Sequence, residues 1–435
     1  MAHEKYHYRT LDELQACAKE QWGPLSLSED MRPLARPLTI ADKIHVENRI
    51  ALQPMEGTDG TEDGAPGELT CRRYLRFAEG GAGLIWFEAV ANAPEARASA
   101  HQLYLTEKNV SAFARLLDQV REAGLKKNGY APAIIMQATN SGRYAKPDGT
   151  PHPLIAYHNP ILEEGLEHLP FRVLTDDELA AYEERFAISA RLAKKAGFDG
   201  VDVKCCHRYL ASELLSAYDR PGRYGGSFEN RTRFIRNAVS AARSGADLPI
   251  ACRMNAYDGF PYPWGFGTTE NNGIIPNLTE GRMLAKMLVD NGVSLLNVTI
   301  GNPYKNPHVN RPYDRGNYVP DEHPLLGLAR IMDCCAEIQK AVPATPVIGS
   351  GFTYPRGFAA NLAAGMVGEG RVAMAGFGRL AFANPDFANQ ILKGGKIDES
   401  KLCLSCGQCA VLLRHGQCAG CVVRDGEVYK PYKEA

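Results

Sequence analysis

The chain has almost no net charge: over 435 residues, 49 Lys and Arg oppose 50 Asp and Glu, leaving −1. Such a balance offers no broadly basic surface, so no nucleic-acid partner is expected. Long hydrophobic runs are also missing. No stretch approaches the ~20 apolar residues of a membrane span. The opening, MAHEKYHYRTLDELQ, lacks the apolar core of a secretory signal, so a cytoplasmic protein is expected. Cysteine, by contrast, is plentiful. Of 12 cysteines, five crowd into CLSCGQCAVLLRHGQCAGC (403–421), and the rest are scattered at Cys17, Cys71, Cys205, Cys206, Cys252, Cys334 and Cys335. Without a secretory leader, a dense cluster plus scattered singles indicates a metal site in a reducing compartment, not a disulfide framework.

Residues 1–38 form an N-terminal extension. Within it TLDELQACAKEQWG has helical character, with Thr10 as the cap and Glu13 completing a capping box. From residue 39 short apolar runs alternate with longer amphipathic stretches. The runs are RIALQP (49–54), GLIWFEAV (83–90), PAIIMQ (132–137), GVDVK (200–204), PIACRM (249–254), SLLNVTI (294–300), TPVIGSG (345–351) and RVAMAG (371–376). Between the fourth run and its predecessor, Leu179, Tyr182, Phe186, Ala190 and Ala193 recur at helical spacing. Thr175 or Asp176 can cap that helix and Gly197 can end it. Eight strand–helix units predict an α/β protein whose parallel sheet closes into a (β/α)8 TIM barrel over 39–395. An open doubly wound sheet is the alternative. Residues 396–435 form a C-terminal cysteine-rich segment.

Barrel enzymes place their chemistry at the C-terminal ends of the strands. No run here ends in a nucleophile elbow, an HExxH motif or a carboxylate cluster suited to magnesium. The last two runs end in glycine instead: Gly349, Gly351, Gly376 and Gly378. Glycine lets backbone N–H groups approach a phosphate, and Arg379 adds a fixed cation. GFGRLA also matches the dinucleotide fingerprint, but too little chain follows it for a complete βαβ unit. Gln137 offers a donor–acceptor amide at the end of the third run. Arg253, at the end of the fifth, can stabilise a developing anion. The cysteines admit two readings. Cys406-x2-Cys409 with Cys418-x2-Cys421 is a zinc pattern. Cys403-x2-Cys406-x2-Cys409-x11-Cys421 is an iron–sulfur pattern that leaves Cys418 unused; we favour it, with Cys418 in place of Cys421 as the principal alternative.

NRIALQPM (48–55), QATNSGRY (137–144), AGFDGVDVKCCHRYL (196–210), RYGGSFENRTRF (223–234) and GFGRLAFANPD (376–386) occur in this order ahead of the cysteine cluster. In these motifs the chain resembles the Old Yellow Enzyme family of FMN oxidoreductases. It is most similar to the iron–sulfur branch that includes 2,4-dienoyl-CoA reductase and trimethylamine dehydrogenase, without the C-terminal FAD and pyridine-nucleotide module. The resemblance implies an FMN held by Pro54, Met55, Ala89, Gln137 and Arg253. It implies that Ser350, Gly351, Phe352, Gly378 and Arg379 hold its phosphate, and that Cys403, Cys406, Cys409 and Cys421 hold a [4Fe–4S] cluster. It makes Tyr209 the proton donor, with a pKa near ~10, and His207 and Lys204 the groups facing the substrate oxygen. Departures from the family pattern are Lys204 for a histidine, Arg208 for a glycine, Asn140 for a histidine, and Glu56 for a small neutral residue near the flavin.

The implied reaction is reduction of an activated C=C bond in an α,β-unsaturated carbonyl or conjugated small molecule. Electrons would come from NAD(P)H, or from a separate electron-transfer flavoprotein or reductase through the cluster. An amine-type dehydrogenase passing electrons outward and an electron-transfer subunit are the alternatives, and a homo-oligomer is left open. Lys204, Arg208 and a protonatable His207 lie within five residues. That surplus of positive charge predicts an anionic substrate, with Arg208 as its ligand. The competing readings are pairing of Lys204 with Asp202 or Glu213, and neutralisation of these cations by Asp202, Glu56 or Asp219.

Overall fold

A computed structural model describes residues 3–269, 273–313, 316 and 318–434; part of the barrel-top loop 257–273 thus lies outside the described residues. The eight apolar runs become the strands β1 (Ile50–Leu52), β2 (Leu84–Ala91), β3 (Ala133–Thr139), β4 (Gly200–Val203), β5 (Ile250–Asn255), β6 (Val293–Thr299), β7 (Val347–Gly349) and β8 (Met374–Phe377). They pair in sequence order, all parallel, and β8 pairs back onto β1 through Ala375–Ile50, Gly376–Ala51 and Phe377–Leu52. The sheet is therefore a closed barrel and not the open alternative.

Strand periodicity sorts the apolar residues into two cores. Ala51, Leu84, Trp86, Ile135, Ala251, Leu295, Ile348 and Met374 point inward and fill the barrel. Their neighbours Ile50, Leu52, Ile85, Phe87, Ile134 and Met136 point outward, against the helices. The helices are α1 (Glu68–Glu79), α2 (Val110–Asn128), α3 (Asp176–Ala196), α4 (Arg233–Gly245), α5 (Thr279–Asp290), α6 (Pro324–Ala341), α7 (Ala359–Gly368) and α8 (Phe387–Gly394). In α3, Thr175 and Glu178 form a capping box, and Gly197 stops the helix in left-handed geometry at φ +93°. An antiparallel hairpin, Leu38–Ile40 with Ile44–Val46, contributes Ile40, Ile44 and Val46 to the inner core and plugs the N-terminal mouth. The other mouth is left for chemistry.

The N-terminal helix Leu11–Gln21 is capped by Thr10, whose hydroxyl accepts from the Glu13 N–H. Glu13 reaches back to the Arg9 N–H at 2.7 Å, so the expected capping box is offset by one residue. The cysteine-rich segment lies over the barrel top and is tied to it at several points. The Asp425 carboxylate accepts from Arg72 at 2.7 and 2.9 Å and also from Arg76, both on α1. The Ala419 N–H donates to the Gly57 carbonyl at 2.7 Å. Arg414, which ends the helix Gln408–Arg414, donates to the Pro303 carbonyl at 2.8 Å. Among the described residues no helix is long and apolar enough to cross a membrane.

Candidate active site

At the open mouth the strand ends surround a cavity. Its floor is built from the residues following β1 (Pro54, Met55, Glu56), Gln137 of β3, Lys204 after β4 and Arg253 of β5. Ser350 and Gly351 after β7, and Gly376, Gly378 and Arg379 at β8, complete it. Tyr304 and Arg311, from the loop after β6, form one wall. Cys409, Leu413 and Arg414 of the cysteine-rich segment form the roof.

Most of the expected cofactor residues meet here, and their orientation has local causes. The Gln137 Nε2 donates to Asp202 at 2.7 Å, which leaves Oε1 and a second N–H for the cavity. Asp202 also accepts from the Trp86 indole at 2.8 Å and from the Arg253 N–H at 2.7 Å. Burial raises its pKa to about 6, against the pull of those donors. Glycine is required at residue 376, where a Cβ would lie 2.6 Å from the Gly349 carbonyl oxygen. Gly351 has φ +98°, which favours glycine.

These residues fit an FMN by what they leave unsatisfied. Arg379 Nη1 and Arg253 Nε are buried without a hydrogen-bond partner, a costly state that an anionic acceptor would relieve. Two of the expected cofactor residues, Ala89 and Phe352, are not among the side chains that line the cavity. Ala89 is buried beside Gln137, its partner across β2 and β3, and its carbonyl accepts from Gln102. The Phe352 ring packs on Phe377 with centroids 5.6 Å apart, in the outer layer of the barrel.

The expected catalytic residues Lys204, His207 and Tyr209 also line the cavity. The Tyr209 hydroxyl donates to Glu56 Oε1 at 3.2 Å and lies 3.0 Å from the Tyr304 hydroxyl. The Lys204 ammonium sits 3.4 Å from the centroid of the Tyr209 ring and 3.7 Å from Glu56 Oε1. Burial first, and then the Glu56 carboxylate, push the Tyr209 pKa well above the ordinary value, so the phenol is firmly protonated at neutral pH. Burial lowers the Lys204 pKa, and Glu56 partly offsets that. The carboxylate that Lys204 faces is thus Glu56, not Asp202 or Glu213; Glu213 is taken by Arg143 at 2.8 Å.

Two expectations about charge are overturned. His207 is not a cation: burial, reinforced by Arg253, Lys204 and Arg311, drops its pKa well below the usual histidine value. Arg208 is not available to a substrate. Its side chain is 0% exposed and pairs with Asp258 at 2.7 Å, donates to the Tyr157 hydroxyl at 2.9 Å and also bonds Ser216. The reason is backbone geometry. His207 and Arg208 both adopt left-handed conformations, with φ +64° and +63°. That tight turn sends the two side chains to opposite sides, His207 into the cavity and Arg208 beneath it.

The C-terminal thiols sort themselves in space. Cys403, Cys406, Cys409 and Cys421 surround one small cavity, with Cys409 also facing the larger one. Cys418 stands apart, its thiol 3.7 Å from the Thr58 carbonyl. Among the described residues, the only three potential ligands with donor atoms within 4.8 Å of one another are Glu4, Cys17 and His323. No three of the clustered thiols are that close. A single zinc, with Zn–S of ~2.3 Å, needs sulfurs only ~3.8 Å apart, so the thiols as placed do not form a closed zinc site. Sequence reasoning gave no role to Tyr304, Arg311 or Arg414. TIGNPY was visible as a strand end, but which loop residues turn inward depends on the fold.

The family model for NADH:flavin oxidoreductase / NADH oxidase matches residues 33–397. An NADH oxidase from Thermoanaerobacter brockii is 30% identical over 369 residues, covering 83% of this chain and 51% of the relative. A cinnamate reductase from Clostridium sporogenes is 28% identical over 414 residues, covering 91% of this chain and 58% of the relative. The chain therefore spans little more than half the length of these relatives. The solved structure of 2-naphthoyl-CoA reductase in complex with 2-naphthoyl-CoA aligns with a TM-score of 0.72 at 20% identity, covering 93% of this chain and 58% of that one; at that identity the likeness is one of fold. A sequence match from residue 33 to 397, across all eight strands and the cavity they hold up, makes the chain a member of the NADH:flavin oxidoreductase / NADH oxidase family.

Proposed function

We propose that the protein is an FMN-dependent ene-reductase acting on the activated C=C bond of a small α,β-unsaturated acid. NAD(P)H, or a separate electron-transfer flavoprotein or reductase, is the electron source. The observation that carries this reading is Tyr209, a buried and protonated phenol whose ring lies under the Lys204 ammonium at the cavity floor.

Pro54, Met55, Gln137, Arg253, Ser350, Gly351, Gly378 and Arg379 would hold FMN, which would supply hydride chemistry at the β-carbon. The chain supplies the rest. Lys204 and the neutral imidazole of His207 face the carbonyl oxygen on which negative charge builds, and such preorganised donors typically contribute ~3 kcal/mol each. Tyr209 gives its proton to the α-carbon. The resulting phenolate is held by Lys204 over its ring and by the Tyr304 hydroxyl until solvent restores the proton, with Glu56 alongside. General-acid assistance of this kind is worth ~10²–10⁴-fold. Cys403, Cys406, Cys409 and Cys421 would hold a [4Fe–4S] cluster in this proposal, and Cys409 lines both the small cavity and the larger one.

Five cationic side chains (Lys204, Arg253, Arg311, Arg379 and Arg414) and one carboxylate, Glu56, line the cavity. That imbalance favours an acid over an ammonium substrate and sets the amine-dehydrogenase reading aside. The test is an anaerobic spectral titration of the holoprotein with NADH, followed by an enoate or by a primary amine. Bleaching by NADH and recovery on adding the enoate are expected. Bleaching by the amine, with no recovery on adding the enoate, would reverse the assignment.

A further inference from the structure

With Arg208 sealed beneath the turn, a substrate anion needs another partner. We infer that Arg311 and Arg414 form a carboxylate subsite on the wall and roof of the flavin cavity. The inference rests on the reading of the protein as a reductase of unsaturated acids.

The two arginines come from different parts of the chain, the loop after β6 and the last turn of the helix Gln408–Arg414, and both reach the same cavity. Each is tied to the catalytic side of that space. Arg414 donates to the carbonyl of Pro303, next to Tyr304, and Tyr304 is hydrogen-bonded to Tyr209. Arg311 follows Asn310, whose amide lies 3.5 Å from His207 Nε2. The Arg311 side chain forms no hydrogen bond or ion pair among the described residues; its backbone N–H donates to the Pro307 carbonyl at 2.8 Å.

The other cations of the cavity are accounted for. Lys204 has Glu56. Arg379 lies beside the glycines of β8, where its unpartnered Nη1 suits the cofactor phosphate, and Arg253 lies at the end of β5, where it suits the isoalloxazine. Arg311 and Arg414 remain, and planar guanidinium groups match a planar carboxylate in shape and charge. An acid held there would place its double bond between Tyr209 and the flavin side of the cavity. No covalent step is added; the subsite orients the substrate and selects for its charge.

The experiment compares trans-cinnamate with its uncharged isostere trans-cinnamamide. Both are titrated by calorimetry into the oxidised holoprotein and into R311Q, R414Q, R311K and R414K, with FMN content measured in parallel. The expected result is that each Gln variant loses ~10- to 100-fold in affinity for the acid, the range of one charge-assisted contact. Cinnamamide affinity and FMN content stay unchanged, and the Lys variants recover part of the loss. Loss of FMN from the Gln variants would assign these arginines to the cofactor phosphate and overturn the subsite. So would equal loss of both ligands, or unchanged acid affinity accompanied by a shifted iron–sulfur EPR signal. Turnover separates the two claims. A protein that reduces acid and amide with indifferent variants keeps the reductase reading and loses the subsite. One that binds cinnamate through these arginines without reducing it keeps the subsite and loses the reading.

Discussion

Arg208 and His207 are adjacent in sequence and opposite in role. Two consecutive non-glycine residues in left-handed geometry cost roughly 1–3 kcal/mol each, and the buried contacts of Arg208 with Asp258, Tyr157 and Ser216 hold the turn in place. Asp258 is committed from its own side, accepting from Asn255 Nδ2 at 2.9 Å and from the Phe266 N–H at 3.0 Å. Breaking a buried pair of this kind costs about 3–5 kcal/mol. The expected outcome for Arg208→Gln is therefore a drop of that size in unfolding free energy by denaturant titration. Turnover of an acid and of its amide should fall by the same factor. A variant of full stability that loses only the acid would restore Arg208 as an anion ligand. The sequence could not show this. The counterion lies 50 positions away in another loop, and a left-handed turn built from histidine and arginine carries no glycine or asparagine to announce it.

At the scale of elements, the strands were legible because each is a short apolar run bounded by polar or glycine-rich turns, and their number implied closure. The rim residues at strand ends followed from that rule: Gln137, Lys204, Arg253, Ser350, Gly351, Gly378 and Arg379 all reach the cavity. The wall and roof did not follow, because Tyr304, Arg311 and Arg414 stand on a loop and a short helix whose inward faces only tertiary packing defines. The cysteine-rich element was legible as a proposed metal site, and placement favours Cys421 over Cys418 as the proposed fourth ligand. Cys421 joins the small cavity, whereas Cys418 lies toward Thr58 and Asp59. Burial raises the Cys403 thiol to about 11, so metal loading must displace its proton. After anaerobic purification, Cys418→Ser is expected to keep iron and labile sulfide at the wild-type level. Cys421→Ser should lose most of both. Stoichiometric zinc without labile sulfide in the parent protein, or the reverse ranking of the two variants, would contradict the [4Fe–4S] assignment.

The whole molecule is a barrel plugged at one end by a hairpin and roofed at the other by a cysteine-rich segment, so the cavity is reached only from the roofed side. In the proposed reaction that space would hold both the hydride and the proton transfer, and the reductase reading depends on Tyr209 being the acid. The direct measurement is to reduce the holoprotein anaerobically with NADH in D2O, oxidise it with an α,β-unsaturated acid, and locate deuterium in the product by NMR. The account predicts a saturated acid carrying one deuterium at the α-carbon, formed ~10²–10⁴-fold more slowly by Tyr209→Phe, while reduction of the variant by NADH stays near the wild-type rate. An unreduced acid, or a product formed at the same rate by Tyr209→Phe, would contradict it.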